Sequence, residues 1–194
     1  MKQATLLAVF IATTTFSFAL PTHRNSQTGV IAPVDTSLMK ISTIQSMLQE
    51  IINATGLHTS FELKEANVLN IEASISHKKR YILYNPTYIT SLNKISKSRW
   101  AVMALLAHEV GHHLNGHTSR KGGSRPALEL EADEFAGFIL HKLGATLQQS
   151  QNVMYYIAKA KASKTHPSKN SRLLAIEKGW NKASGLQEMT AAKR

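Results

Sequence analysis

The 194-residue chain contains no cysteine. That excludes disulfides, thiolate metal sites and cysteine nucleophiles, so any bound metal ion must be held by His, Asp or Glu. Acidic residues are also scarce, 12 against 23 Lys and Arg, for a net charge of +11. Such a surplus raises the question of nucleic acid. The basic residues are scattered, however, thickening only from Lys159 to Arg194, and no aromatic-rich strand or recognition helix accompanies them. Specific nucleic-acid reading is therefore not expected. The surplus reads as a solvated basic face with loose, salt-screened attraction to anionic envelope surfaces or acidic substrates. Beyond the first twenty residues no apolar run is long enough to cross a bilayer, and there is no internal repeat.

What is present is apolar material enough for one core, 43% of the chain. Residues 1–19 combine Lys2, an apolar stretch beginning at Leu6 and the small residues Ser17-Phe18-Ala19 before Leu20-Pro21. This is the pattern of a cleaved signal peptide, with a retained anchor as the rival reading. The absence of a following cysteine excludes a lipoprotein anchor. Residues 20–36 read as a linker, 37–180 as a single catalytic domain and 181–194 as a basic tail. Export, to a periplasm or to the outside, is the expectation.

Leu38, Ile41, Ile44, Leu48, Ile51 and Ile52 recur at helical spacing, with Asn53 to Gly56 as the stop. Phe61–Leu63, Val68–Ser76 and Arg80–Tyr84 read as a small antiparallel meander ended by Asn85-Pro86. Ser98 is placed to cap a buried helix from Arg99 to Leu114, stopped by Asn115-Gly116. After a Gly-rich basic loop, Ser124 and Pro126 open a helix that runs to Leu143 and stops at Gly144. Thr146 starts another, to about Ala162, and Ser168 a last one, ending at Gly179-Trp180.

The residues that carry chemistry are His108-Glu109-Val110-Gly111-His112. Side chains four apart on a helix lie one above the other, so both imidazoles can share one zinc ion. Glu109 is turned by about 100° from His108, which aims it at a water on the metal rather than at the metal. It is the candidate general base. A short pattern can arise by chance, but this one continues an apolar, buried helix, where an unpaired Glu would be costly.

A catalytic site needs a third ligand. A metzincin would place Gly at 115 and His at 118, where this chain has Asn115 and Thr118, and a deformylase would supply a cysteine. The remaining choice is a carboxylate on the following helix. Glu129 and Asp133 lie four apart, so Glu129 is taken as the third ligand and Asp133 as the acceptor for a ligand histidine N–H. Glu131 and Glu134 read as solvated. His113 reads as surface or core filling. His117 lies past the helix stop, and its geometry cannot be read from spacing.

Together these motifs resemble the HtpX-like, BepA-like and CaaX-prenyl-protease-type zinc metallopeptidases, a branch of the gluzincins. The resemblance rests on His108–His112 with His117 after it, on Glu129-Leu130-Glu131-Ala132-Asp133-Glu134-Phe135-Ala136, and on Thr165-His166-Pro167 followed by Arg172-Leu173. It spans roughly Ser37 to Gly179. It implies one zinc ion per chain on His108, His112 and Glu129, catalysis by Glu109 and support from Asp133. It also gives His166 a place near the cleft, approaching zinc or steadying the oxyanion, with Arg172 in the same neighbourhood. The transmembrane helices of the HtpX-like and prenyl-protease members and the tetratricopeptide repeats of the BepA-like members have no counterpart here, which describes a minimal soluble member.

The expected fold class is α+β, a mainly helical zincin-type metalloprotease domain with the antiparallel meander and the HExxH helix. The expected function is an exported zinc endopeptidase acting on protein or peptide substrates, in which an extended substrate adds alongside the Arg80–Tyr84 strand. The alternative is a zinc-stabilised envelope module that holds chains without cutting them.

Overall fold

The computed structural model of the chain describes residues 38–120 and 125–185. The signal segment, the linker, the Ser124 cap and the end of the basic tail lie outside the described residues. Among the described residues no helix is long and apolar enough to cross a membrane.

Among the described residues, seven helices and three strands form an α+β fold: α1 (Ile41–Thr55), β1 (Glu62–Glu65), β2 (Ile71–Ser76), β3 (Lys79–Tyr84), α2 (Pro86–Ser96), α3 (Arg99–Leu114), α4 (Pro126–Lys142), α5 (Leu147–Gln151), α6 (Met154–Ile157) and α7 (Lys169–Ala183), with a 3-10 turn at His117–Ser119. The spine is α3. Every residue from Ala101 to Gly111 is buried, because α1, α2, α4 and α5 pack around the helix and β2 and β3 lie against it. Each fully buried Leu or Ile contributes about 1.5–3 kcal/mol, which explains why a helix with no polar stripe is stable here. The stripe on α1 (Ile44, Met47, Leu48, Ile51, Ile52) is buried against this core, and Gly56, at φ 69°, closes the helix.

The expected antiparallel meander is corrected to a mixed sheet in the order β1-β3-β2. β2 and β3 form a hairpin whose two turn residues, His77 and Lys78, both sit at positive φ. β1 does not pair with its neighbour in sequence but runs parallel to β3 on the far side. The outer edge of β2 lies toward α3, where Ala73 N–H bonds to Glu109, and β1 takes the other edge of β3. Residues 66–70 cross the end of the hairpin, held by Ala66 N–H to Tyr84 O, Asn85 N–H to Asn70 O and the Asn85 amide to Val68 O. That crossing takes Val68 to Asn70 out of the expected strand.

Asn85-Pro86 ends the sheet and also begins a helix, α2, that the sequence reading had not assigned. The Asn85 side chain accepts Tyr88 N–H and Pro86 occupies the first turn. The helix expected from Thr146 is shorter: after a capping box between Thr146 and Gln149 it tightens at Asn152 and ends at Ile157. Residues 158–164 alternate Lys with Ala and Ser and offer no apolar stripe to bury. The last helix runs past Gly179-Trp180 to Ala183. Gly179 is not a stop; a Cβ there would collide with the carbonyl of Glu134, and one on Gly137 with the carbonyl of Ile176. The two glycines let α4 and α7 pack backbone against backbone.

Candidate metal centre

Helix α3 contributes His108, Glu109 and His112, and α4 folds back beside it to contribute Glu129 and Asp133. All except His112 are buried at less than a tenth exposed, and His112 is nearly so. The close approach of the two helices depends on Gly111, whose missing side chain leaves room for Ala132 and Phe135. Pro126 opens α4, so Glu129 lies in its first turn, where the helix dipole favours a carboxylate.

Three donors converge. His108 Nε2 and His112 Nε2 are 3.1 Å apart, Glu129 Oε2 is 3.4 Å from the first and Glu129 Oε1 is 3.5 Å from the second. An ion with bonds of about 2.0–2.1 Å in tetrahedral coordination needs donors roughly 3.3–3.4 Å apart. The triangle therefore fits a metal ion, and these three residues are close enough to bind one. The donor set of two imidazoles and one carboxylate suits a borderline divalent ion.

Charge is concentrated behind this triangle. His108 Nδ1–H donates to Asp133 Oδ1 at 2.9 Å. Asp133 is fully buried and also accepts two bonds from Arg172, Nε to Oδ2 and Nη2 to Oδ1, both 2.7 Å. Burial alone would raise the Asp133 carboxyl, but the Arg172 guanidinium and then His108 hold it below its usual range. Burial would lower His108, yet Asp133 and Glu129 lift it to about 10. Glu129, against the effect of burial, is kept far below the usual carboxylate range by the two histidines. His112 is lowered by burial, with the neighbouring His108 charge adding to that effect.

Glu109 stands beside the triangle and outside it. Its Oε2 accepts the backbone N–H of Ala73 at 2.7 Å. Burial pushes its carboxyl up to about 7; the nearby His108 charge, the Ala73 N–H and Arg172 pull the other way, while Glu129 adds to the rise.

The outlying histidines separate clearly. His113 is core filling, its Nε2–H donating to Tyr81 O at 2.9 Å and its ring stacked on Phe61. His166 lies in the segment between α6 and α7, with Nδ1 2.8 Å from the Thr165 hydroxyl. It is not in the donor group, although Glu129, Arg172 and His108 all act on its charge, and burial lowers its pKa. Arg172, placed near the cleft by the resemblance, is buried with its fork committed to Asp133. His117, unassigned from sequence, is buried directly behind His112. The signal for it was Gly116, at φ 70°, which turns the chain back under α3. Glu131, read as solvated, is half exposed but accepts from His117 Nε2–H at 2.8 Å, and Glu134 pairs with Lys178.

The β3 strand, proposed from sequence to align substrate, is corrected: it is the central strand, paired on both sides. The edge strand on the side of the site is β2, whose Ala73 N–H is bonded to Glu109. Set against protein-family models, curated proteins and solved structures, the chain finds no match.

Proposed function

We propose that the chain is a zinc-dependent endopeptidase. The observation that carries this reading is the convergence of His108 Nε2, His112 Nε2 and the Glu129 carboxylate within 3.5 Å of one another, with a second, more weakly acidic carboxyl, Glu109, alongside but outside the triangle. Structural zinc usually takes four protein ligands; a hydrolytic site takes three and keeps a position for water.

Bound there, zinc supplies a Lewis acid that polarises a carbonyl and brings the pKa of water to about 7. The protein does the rest. Glu109, at about 7, is matched to take a proton from water near neutral pH and return it to the leaving amine. Asp133, clamped by Arg172, keeps a proton on His108 Nδ1, so Nε2 is the atom that gives up its proton to bind metal. In this reading β2 aligns an extended peptide. In a hairpin closed by a two-residue turn, Ser76, Ser74 and Glu72 bond to β3, and the backbone groups of Ile75, Ala73 and Ile71 point the other way. The leader-like residues 1–19 support action outside the cytoplasm.

The test is zinc stoichiometry on the reloaded full chain, together with cleavage of an unfolded protein by wild type and by Glu109→Gln. One zinc per chain in both, with cleavage by wild type alone, supports the proposal. Persistent cleavage by Glu109→Gln removes the base, and zinc binding without cleavage by either leaves the non-cutting envelope module.

A further inference from the structure

His117 is 6% exposed and lies behind a proposed ligand without reaching the donor triangle. After α3 ends at Leu114, Gly116 at φ 70° reverses the chain, and the 3-10 turn brings the imidazole back under the helix. His117 Nδ1 then sits 3.0 Å from His112 Nδ1, with the rings at 69°. On the other side of the ring, His117 Nε2 is 2.8 Å from Glu131 Oε2. Glu131 is at the surface, its side chain 53% exposed.

The protons along this chain are fixed by what each end can do. The Glu131 carboxylate only accepts, so the hydrogen between it and His117 is on His117 Nε2. A neutral imidazole carrying that hydrogen presents a lone pair at Nδ1. His112 must then donate from its own Nδ1, and its Nε2, facing His108 Nε2 and Glu129, is left as a lone pair. We propose that His117 is a positioning residue for His112, with Glu131 selecting the tautomer of His117 and, through it, that of His112.

This inference rests on the metal-centre reading above. It assigns each ligand histidine its own support: His108 is backed by the buried Asp133–Arg172 pair, and His112 by a relay that ends on a surface carboxylate. A ligand whose outer N–H is properly accepted is more basic and held in orientation, and losing such support typically costs about 10–100-fold in metal affinity. Glu131, though it touches no ligand, becomes a surface handle on metal affinity.

The experiment is zinc affinity of the full chain by competition with a chromophoric chelator, with circular dichroism as the control for folding. His117→Ala is expected to bind zinc about 10–100-fold more weakly. His117→Asn, whose Oδ1 replaces the Nδ1 acceptor, is expected to recover most of that loss. Glu131→Ala is expected to weaken binding toward the low end, about tenfold, in the wild-type background and to have no further effect in His117→Asn, which does not need the carboxylate. A side chain that only fills space would not give this rescue or this dependence on background. If His117→Ala does not fold, the exposed Glu131→Ala decides: weaker zinc supports the relay, and unchanged zinc overturns it. Affinities within about twofold of wild type for Glu131→Ala and His117→Ala overturn the relay and leave the metal centre standing. A wild-type chain that binds no zinc overturns both.

Discussion

Glu109 Oε2 and the backbone N–H of Ala73 are 2.7 Å apart, so the proposed general base is tied to the outer edge of β2. One strand thus fixes the position of the base and offers the backbone along which an extended peptide would lie. Ile75, two residues further on, points its N–H to the same edge, and the residue is 39% exposed. Ile75→Pro removes one edge donor without touching the β2–β3 ladder, a position where proline is tolerated. The loss of a single main-chain bond is worth about 0.5–1.5 kcal/mol, so kcat/KM for an unfolded-protein substrate is expected to fall roughly 2–12-fold with the Tm little changed. Unchanged kcat/KM would mean that peptide does not align on β2.

The metal-free protein is expected to lose stability as pH rises above about 6.5, and on acidification, where the depressed His112 and His166 and the low carboxyls of Glu129 and Asp133 take up protons. The folded pKa of His108, about 10, lies above its ordinary 6.5. Its contribution is complete below 6.5 and is lost as pH rises through 10. Glu109 is raised from 4.5 to about 7; a carboxyl raised by burial also costs stability as pH rises, here from 4.5 to 7. Glu129 and Asp133 run the other way, with folded pKa values below their ordinary 4.5 and 3.8. Their stabilisation is present above those values and is lost on acidification. Zinc needs His108 without its Nε2 proton, so added zinc is expected to raise the Tm most at the alkaline end. Calorimetry from pH 4 to 9, with and without zinc, checks this, and a metal-free Tm that climbs from pH 6 to 9 contradicts it.

Much of the candidate metal centre was legible in the sequence because helical spacing is rigid. His108 with His112, and Glu129 with Asp133, are each four apart, and two such pairs on adjacent amphipathic stretches have few ways to pack. Legibility failed where the outcome depended on pairing across space. Alternating residues identify β1, β2 and β3 as strands but carry no information about their order. Gly179 was read as a stop because spacing does not distinguish a glycine that ends a helix from one that lets two helices touch. His117 followed a glycine that marked the end of periodicity, and only the fold brings it under His112. Asn85-Pro86 marks both a strand end and a helix start, and only the first was used.

Arg172 and Asp133 form a buried ion pair, 7% and 0% exposed. Arg172→Ala leaves a buried carboxylate supported by His108 alone and is expected to cost about 3–5 kcal/mol. Arg172→Lys is not a conservative change, because an ammonium cannot reproduce the two-bond fork. Asp133→Asn combined with Arg172→Met is expected to lose clearly less than the sum of the single changes, since neither leaves the other's charge stranded. Urea unfolding of the four proteins checks this; strict additivity would mean that the two side chains do not act as a unit.

The glycines of α4 and α7 make a distinction that stability measurements can resolve. At Gly137 and Gly179 a methyl group would meet backbone carbonyls of the facing helix, those of Ile176 and Glu134. Those atoms belong to hydrogen-bonded helices and cannot rotate away as a side-chain tip would. Ala at either position must push α7 off α4, an overpacking cost of about 1–3 kcal/mol or more. At Gly144 the constraint is different: φ is 90° and nothing lies within 4 Å of an added Cβ, so Ala costs only the backbone conformation, about 1 kcal/mol. Arg172 is seven residues, about two turns, before Gly179 on the same helix. Moving α7 therefore also draws its guanidinium away from Asp133 and loosens the support of His108. Gly137→Ala and Gly179→Ala are expected to lower both the unfolding free energy and the zinc affinity, while Gly144→Ala lowers only the first, and by less. Equal losses of stability at the three positions, or full zinc affinity in Gly179→Ala, would show that the packing of α4 on α7 does not hold the candidate metal centre in place.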